Sequence, residues 1–271
     1  MKDFKIIVWI CLCIFAMPRI SVSHELWLDS KTFQIESSQI LEIDMRNGEN
    51  FNGISLSFFE NRIKQFFWGQ NGTRTAVTSR AGDVPAMRTS IATEGLVSIV
   101  YESTPSFLTY TNWDKFVNFV VHKDLVNAID RHEKNGWPKE RFKEVYHRYS
   151  KALIGVGHSK GADENFGLET EFVALQNPYV DRLSEHILLQ LFYQNAPRAN
   201  AQVEVFERND REEVTVFMLR TDADGQVLVP VQSGHDYLID SVVLREFASE
   251  EENGPLWESL WAALTFSVPE K

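Results

Sequence analysis

Residues 21–28, SVSHELWL, join an apolar N-terminal segment to the first strand-like stretch of the chain. The apolar run before them has about a dozen residues, fewer than the roughly 20 that are needed to span a bilayer. Ser21 and Ser23 supply the small-x-small pattern that signal peptidase cleaves. We therefore predict that residues 1–23 are a cleaved signal peptide, that the mature chain begins at His24, and that the protein is periplasmic.

The composition narrows the possible partners. Cys11 and Cys13 both lie in the predicted signal peptide, so the mature chain has no cysteine with which to form a disulfide. Residues 1–23 carry a net charge of +2, and their removal changes the formal charge from -11 to -13. That acidity disfavours nucleic acid and anionic membrane surfaces as partners. The rest of the sequence has no apolar run long enough to span a membrane.

Short apolar or alternating stretches, separated by turn residues, run through the first part of the mature chain. In residues 54–58, Ile-Ser-Leu-Ser-Phe, apolar and polar side chains alternate, as they do in a strand with one buried face. This pattern predicts an N-terminal β lobe over residues 24–110.

Beyond residue 110 the spacing of apolar residues changes to the helical period of about 3.6. Phe116, Phe119 and Val120 fall on one helical face. A third helix is expected over residues 139–149, because four residues there have i, i+3, i+4, i+7 spacing, namely Phe142, Val145, Tyr146 and Tyr149. We predict a helical segment over residues 111–155.

The polar, glycine-containing residues 156–167 are predicted to form a linker loop. After them come about seven short apolar stretches with turn residues between them, which is the spacing of a small β-sandwich. We predict an immunoglobulin-like β-sandwich over residues 168–271. The expected fold is therefore mainly β, with two β-sandwich-like lobes and an intervening helical segment.

Five short motifs occur in order along the mature chain: HELWL at 24–28, RYSKALI at 148–154, NPY at 177–179, TDADG at 221–225 and WESLWAALTF at 257–266. Together they resemble the NikM-like group, an exported bacterial family associated with nickel uptake. The resemblance implies a periplasmic protein with a prealbumin-like C-terminal sandwich that supplies nickel or cobalt to membrane metal-transport components. Some members of that group are fused to membrane segments, and this chain differs from them in having no membrane span after its signal peptide.

His24 is the leading candidate metal ligand. At a free N-terminus its α-amine and its imidazole Nδ1 would chelate one ion, and nickel and copper accept nitrogen ligands of this kind. The alternative is that His24 is only the residue that precedes a strand. The other histidines form no HxH or HxxxH pair, so a site would need the fold to bring residues together. His147 and His235 are the partners that we consider first.

No motif for catalysis is found in the sequence. There is no Gly-x-Ser-x-Gly elbow and no phosphate-binding glycine loop, and both cysteines would be removed with the signal peptide. Residues 222–225, Asp-Ala-Asp-Gly, begin like a calcium loop, but Val227 and Val229 stand where further oxygen ligands are needed. We expect a hairpin turn there and a protein that is not an enzyme.

Clustered aromatic residues suggest a second class of function. Phe66, Phe67 and Trp68 are adjacent, and Trp257 is close to Trp261. A row of exposed rings would favour a carbohydrate-binding or surface-binding module, whereas buried rings would only close a core. A structural adaptor is a third possibility, because β-sandwiches often serve as spacers.

Overall fold

The computed structural model describes residues 24–181, 183, 185–247 and 249–270, so the predicted signal peptide lies outside the described residues. The described chain is mainly β with sandwich-like lobes, as predicted, and it contains one pair of α-helices. None of the helices in this part of the chain is both long enough and apolar enough to cross a membrane.

The first part of the chain contains ten strands and both helices. The strands are β1 (Glu25–Asp29), β2 (Gln34–Ile35), β3 (Ile40–Glu49), β4 (Asn52–Leu56), β5 (Ile63–Gln70), β6 (Thr73–Ala76), β7 (Met87–Ser90), β8 (Gly95–Ser103), β9 (Ser106–Tyr110) and β10 (Phe142–Val156). The helices are α1 (Trp113–His122) and α2 (Asn127–Lys134). The side chain of Asn112 caps α1 by accepting a hydrogen bond from the backbone N–H of Asp114, which explains where this helix begins.

The second part of the chain is built from strands. They are β11 (Thr170–Ala174), β12 (His186–Tyr193), β13 (Ala196–Pro197), β14 (Gln202–Arg208), β15 (Val214–Arg220), β16 (Gln226–Pro230), β17 (Asp236–Glu246) and β18 (Pro255–Ser267). Residues 222–225 form a turn, but the predicted hairpin is wrong, because β15 pairs with β14 whereas β16 pairs with β12 in another sheet. There the Asp222 carboxylate accepts hydrogen bonds from the N–H groups of Asp224 and Gln226, which accounts for its position without calcium.

A ten-stranded sheet runs through both lobes in the order β15-β14-β17-β18-β10-β8-β5-β6, and β2 and β9 also pair with β10. Neighbouring strands on this path are antiparallel except β10 and β18, which are parallel. Two smaller sheets accompany it. One contains β1, β3, β4 and β7, and the other contains β11, β12, β13 and β16.

Strand β10 lies between two hydrophobic cores and contributes side chains to both. Ala152 and Ile154 pack into the N-terminal core with β1 and β3, whereas Leu153 packs into the C-terminal core with β11 and β12. Successive side chains of a strand point to opposite faces, so one strand serves both lobes. The helices cover a third apolar cluster around Trp257 and Trp261, on the β1 side of the sheet.

The predicted third helix is wrong, because residues 142–156 form β10 and helix α2 already ends at Lys134. The helical spacing is produced by a strand that is buried on both faces. Phe142 and Tyr146 face the helical pair, whereas Tyr149 faces the opposite layer. A strand with apolar side chains on both faces loses its simple alternation and can imitate a helical stripe.

The predicted linker, residues 156–167, begins with the last residue of β10 and continues as a loop. Asp163 and Phe166 within it are buried. This loop therefore packs against the cores of the protein along part of its length.

Candidate functional site

Strand β1 lies over the central sheet and is bound to it by side chains. The carbonyl oxygens of His24, Leu26 and Leu28 accept hydrogen bonds from Arg148 Nη2 at 2.7 Å, Ser150 Oγ at 2.8 Å and Thr265 Oγ1 at 2.5 Å. Alternate carbonyls of a strand point to the same edge. These three donors therefore form hydrogen bonds with the carbonyls on the edge of β1 that does not pair with β3. The backbone position of His24 is thereby fixed.

The His24 side chain lies at the surface, with 54% of its area exposed. Its Nε2 is 3.2 Å from the Glu49 carboxylate at the end of β3. A carboxylate beside Nε2 favours the neutral tautomer that carries its proton on Nε2, and the lone pair of that tautomer is on Nδ1. A second ring nitrogen held by a carboxylate is the usual arrangement for a histidine that binds a metal.

The structure does not bring the other two predicted ligands to His24. His147 Nε2 is 3.0 Å from Glu258 Oε1, on the opposite face of the central sheet from Arg148. His235 Nδ1 is 2.8 Å from Glu207 Oε1, in the turn before β17. Each predicted histidine therefore has its own carboxylate partner.

One cluster of carboxylates does have metal-like spacing. Within the described residues, the only group of three acidic, histidine or cysteine side chains with ligand atoms within 4.8 Å of one another is Glu25, Glu204 and Asp240. Lys123 Nζ donates to all three, at 3.1, 2.5 and 2.8 Å respectively. We call these four residues the Lys123 cluster. The ammonium group already occupies the position that a cation would take.

The fold explains why the Lys123 cluster forms. Glu204 of β14 and Asp240 of β17 are opposite each other in the central sheet, and Glu25 comes from β1 above it. Lys123 directly follows α1 and reaches down between the two layers, with its ammonium 5.0 Å from the centre of the Trp261 ring. All four residues of the cluster are buried.

Burial and neighbouring charges shift the pKa values of the four groups in different directions. Burial raises the pKa of Glu25 to about 7, although Lys123 opposes this effect. Burial also raises the pKa of Asp240. At Glu204, burial would raise the pKa, but hydrogen bonds from His122 and Lys123 outweigh it and hold the pKa below its usual value. Burial would lower the pKa of Lys123, and the three carboxylates raise it instead.

The raised pKa of Glu25 predicts a pH dependence of stability. The folded state retains this proton at pH values where the unfolded chain has lost it, so Glu25 lowers stability as the pH rises from about 4.5 to about 7. In Glu25→Gln we expect a flatter dependence of the melting temperature on pH between about 4.5 and 7. Glu42→Gln, which alters an exposed pair with Arg88, should keep the wild-type slope. Equal slopes in all three proteins would contradict the assignment.

A family model described as "Domain of unknown function (DUF4198)" matches residues 21–244. The chain belongs to this family. The matched region contains His24, Glu49 and every residue of the Lys123 cluster. A search of curated proteins found no match.

Two solved structures show weak similarity to the chain. One is a tetra-tandem repeat in the extending region of a large adhesion protein, with 8% identity, a TM-score of 0.22, and coverage of 91% of this chain and 50% of the other. The other contains three N-terminal domains of the highly immunogenic outer capsid protein Hoc of bacteriophage RB49, with 9% identity, a TM-score of 0.21, and coverage of 91% and 70%. This chain spans about half the length of the first. Scores this low support no inference.

The aromatic residues that suggested sugar binding are in the interior. Phe66, Phe67, Trp257 and Trp261 are buried, and Trp68 is partly buried. These rings pack in the cores and offer no flat exposed row for a sugar to stack on.

Sequence reasoning missed the Lys123 cluster. A partial signal was present, because Glu204 lies between Val203 and Val205, and Asp240 interrupts an otherwise mostly apolar stretch of β17. A charged residue in such a strand is seldom buried unless it is paired. The pattern could have predicted a buried pair, but it could not have named Lys123 as the partner.

Proposed function

We propose that the mature protein is a periplasmic, non-enzymatic metal-binding protein that holds one nickel, cobalt or copper ion at His24. The observation that carries this proposal is the contact between His24 Nε2 and Glu49, because it leaves Nδ1 as the ligand nitrogen. Cleavage after Ser23 would place the α-amine on the same residue. The amine and Nδ1 then close a six-membered chelate ring with the ion.

The surroundings of His24 suit such a chelate. The hydrogen bond from Arg148 to the His24 carbonyl and the pairing of β1 with β3 position the residue before an ion arrives. The half-exposed imidazole remains open to solvent. Two protein nitrogens leave several coordination positions for water or for a second protein. An ion held in this way is suited to transfer to a membrane metal-transport component.

The Lys123 cluster is a poor alternative for the metal. An incoming ion would have to displace an ammonium that already makes three hydrogen bonds with carboxylates. It would also leave the displaced lysine buried without a partner, which is costly. The geometry therefore favours His24.

A test of the proposal uses three forms of the protein: one that begins at His24, one with a single alanine added before His24, and His24→Ala. The added residue converts the amine to an amide, and the substitution removes the ring. We expect each change to weaken Ni²⁺ and Cu²⁺ binding by about tenfold or more in calorimetric titration, because each removes one of two chelating ligands. Affinity should also fall as the pH is lowered, because protons compete for the same nitrogens.

His158→Ala is the matched control, since His158 is also exposed and lies near a single glutamate, Glu94. It should bind both ions as the wild type does. Glu49→Gln should weaken binding by a smaller factor, because it changes the orientation of the ring and leaves both ligands in place. Equal affinities in the native, extended and His24→Ala forms would refute the proposal and favour a structural adaptor.

A further inference from the structure

A depression of about 480 Å³ lies in the C-terminal lobe, where β12 begins and β16 ends opposite β14 and β15. Its walls include Glu185, His186, Glu207, Phe217 and Val231. This volume is in the range of small-molecule sites in proteins. Glu207 is on β14 and points to the opposite face of the central sheet from Glu204, so the depression is separate from His24 and the Lys123 cluster.

Glu207 is held rigidly, and its hydrogen bonds are unevenly distributed. Gln232 Nε2 at 2.9 Å, His235 Nδ1 at 2.8 Å and Tyr237 Oη at 2.8 Å all contact the same oxygen, Oε1. The Tyr237 hydroxyl is itself fixed by the backbone N–H of Gln232, at 2.7 Å. In the described part of the chain, no hydrogen bond reaches the other oxygen, Oε2. One carboxylate oxygen is thus fixed in place for an external donor.

Two other buried carboxylates of the chain are each paired with a lysine. Glu204 contacts Lys123, and Asp163 contacts Lys151. Around the depression, no lysine or arginine is among the lining residues that the structure describes. Glu185 adds a second carboxylate at the exposed wall, and a neutral His186 can accept a hydrogen bond. The chemistry of these walls favours a positively charged donor.

We propose that this depression binds a small organic ammonium ion. The charged group donates to Glu207 Oε2, and the apolar body of the ligand packs against Phe217 and Val231. The apolar walls explain why an amine that carries a carbon skeleton fits better than a bare inorganic cation, since the skeleton buries apolar surface. An aromatic wall also attracts a cation electrostatically. This inference does not depend on the metal proposed at His24.

The test is an NMR titration of the mature protein with phenethylammonium chloride and, separately, with its neutral isostere 2-phenylethanol. The backbone amides of Val231 and Gln232 serve as reporters. We expect the ammonium ion to bind at least about tenfold more tightly than the alcohol, which would show that charge contributes to recognition. Glu207→Gln should remove most of this difference.

Glu213→Gln is the matched control, because Glu213 is an exposed glutamate just before the neighbouring strand β15. It should bind the ammonium ion as tightly as the wild type. The amide in Glu207→Gln keeps the shape of the side chain and an oxygen that can accept the three existing hydrogen bonds. Should that variant prove less stable, Glu185→Gln provides a second test on an exposed side chain, and we expect it to weaken binding of the ammonium ion by a smaller factor.

Three results would overturn the proposal. The first is equal affinity for the ammonium ion and the alcohol, which would indicate an apolar site. The second is a response of the same amides to Ni²⁺ but not to phenethylammonium, which would identify a metal site. The third is the absence of any shift at saturating ligand in a protein whose spectrum shows that it is folded.

Discussion

Lys123→Met is expected to lower the free energy of unfolding by about 3–5 kcal/mol at pH 7. The substitution keeps most of the volume of the side chain but removes the one ammonium group that, within the described residues, contacts Glu25, Glu204 and Asp240. Glu25 and Asp240 would then lose the cation that they contact, and Glu204 would keep its contact with His122. Breaking a buried ion pair from one side is costly because the remaining charge is left without a partner. Urea unfolding, followed by tryptophan fluorescence, measures this loss.

The loss in Lys123→Met should shrink as the pH falls, because protons can replace the missing positive charge on the carboxylates. Adding Glu204→Gln to Lys123→Met should likewise recover part of the stability, since it removes one of the opposing charges. Lys139→Met is the control, because the Lys139–Glu133 pair is about half exposed and such pairs contribute about 0–1 kcal/mol. A loss in Lys123→Met no larger than that in the control would show that the cluster does not stabilise the fold.

Lys151→Met is expected to lower the free energy of unfolding by a similar amount, about 3–5 kcal/mol. It should also weaken the attachment of the loop between β10 and β11. Lys151 Nζ contacts four oxygens at 2.9–3.0 Å, from the side chains of Asp163 and Glu171 and the backbone carbonyls of Glu164 and Phe172. It thereby joins β10 to the loop that follows it and to β11. Without the ammonium, both carboxylates and both carbonyls lose a buried donor.

Hydrogen exchange distinguishes this effect from a general loss of stability. The backbone N–H groups of Phe166 and Leu168 donate to the Glu171 carboxylate, so their protection reports on the loop. In Lys151→Met the exchange rates of these two amides should increase more than those of the amides in the β14–β17 ladder. In Lys123→Met the exchange rates of these two amides should not increase more than those in the ladder. Lys160→Met, which changes an exposed lysine of the same loop, should leave them protected. Unchanged protection in Lys151→Met would refute the proposed role.

Local pattern was enough to predict much of the architecture. The strands before residue 110, the two helices and the strands after residue 168 all follow from the spacing of apolar residues and turn residues. The error at β10 arose because its side chains are buried on both faces. The pairing of β10 with β18, more than a hundred residues later, has no local signal at all.

The candidate site was predictable only in part. His24 was identified from its place after the predicted cleavage site, and Glu49 could not be assigned to it because the two meet only when β1 pairs with β3. The Lys123 cluster draws its members from two strands of the central sheet, from β1 and from the residue after α1. Side chains so distant in sequence become neighbours through sheet topology, which a single sequence does not encode in any short pattern.

The way β1 is held has a consequence for the order of folding. Its carbonyl oxygens find their donors on β10 and β18, and the bond between Leu28 and Thr265 joins residues 237 positions apart. The strand that leaves the ribosome first can therefore complete its contacts only after almost the whole chain has followed it. Such a high contact order favours slow folding, on a scale of about milliseconds to seconds or longer. During translation, the N-terminal half of this protein therefore cannot complete its structure until β18 has been synthesised.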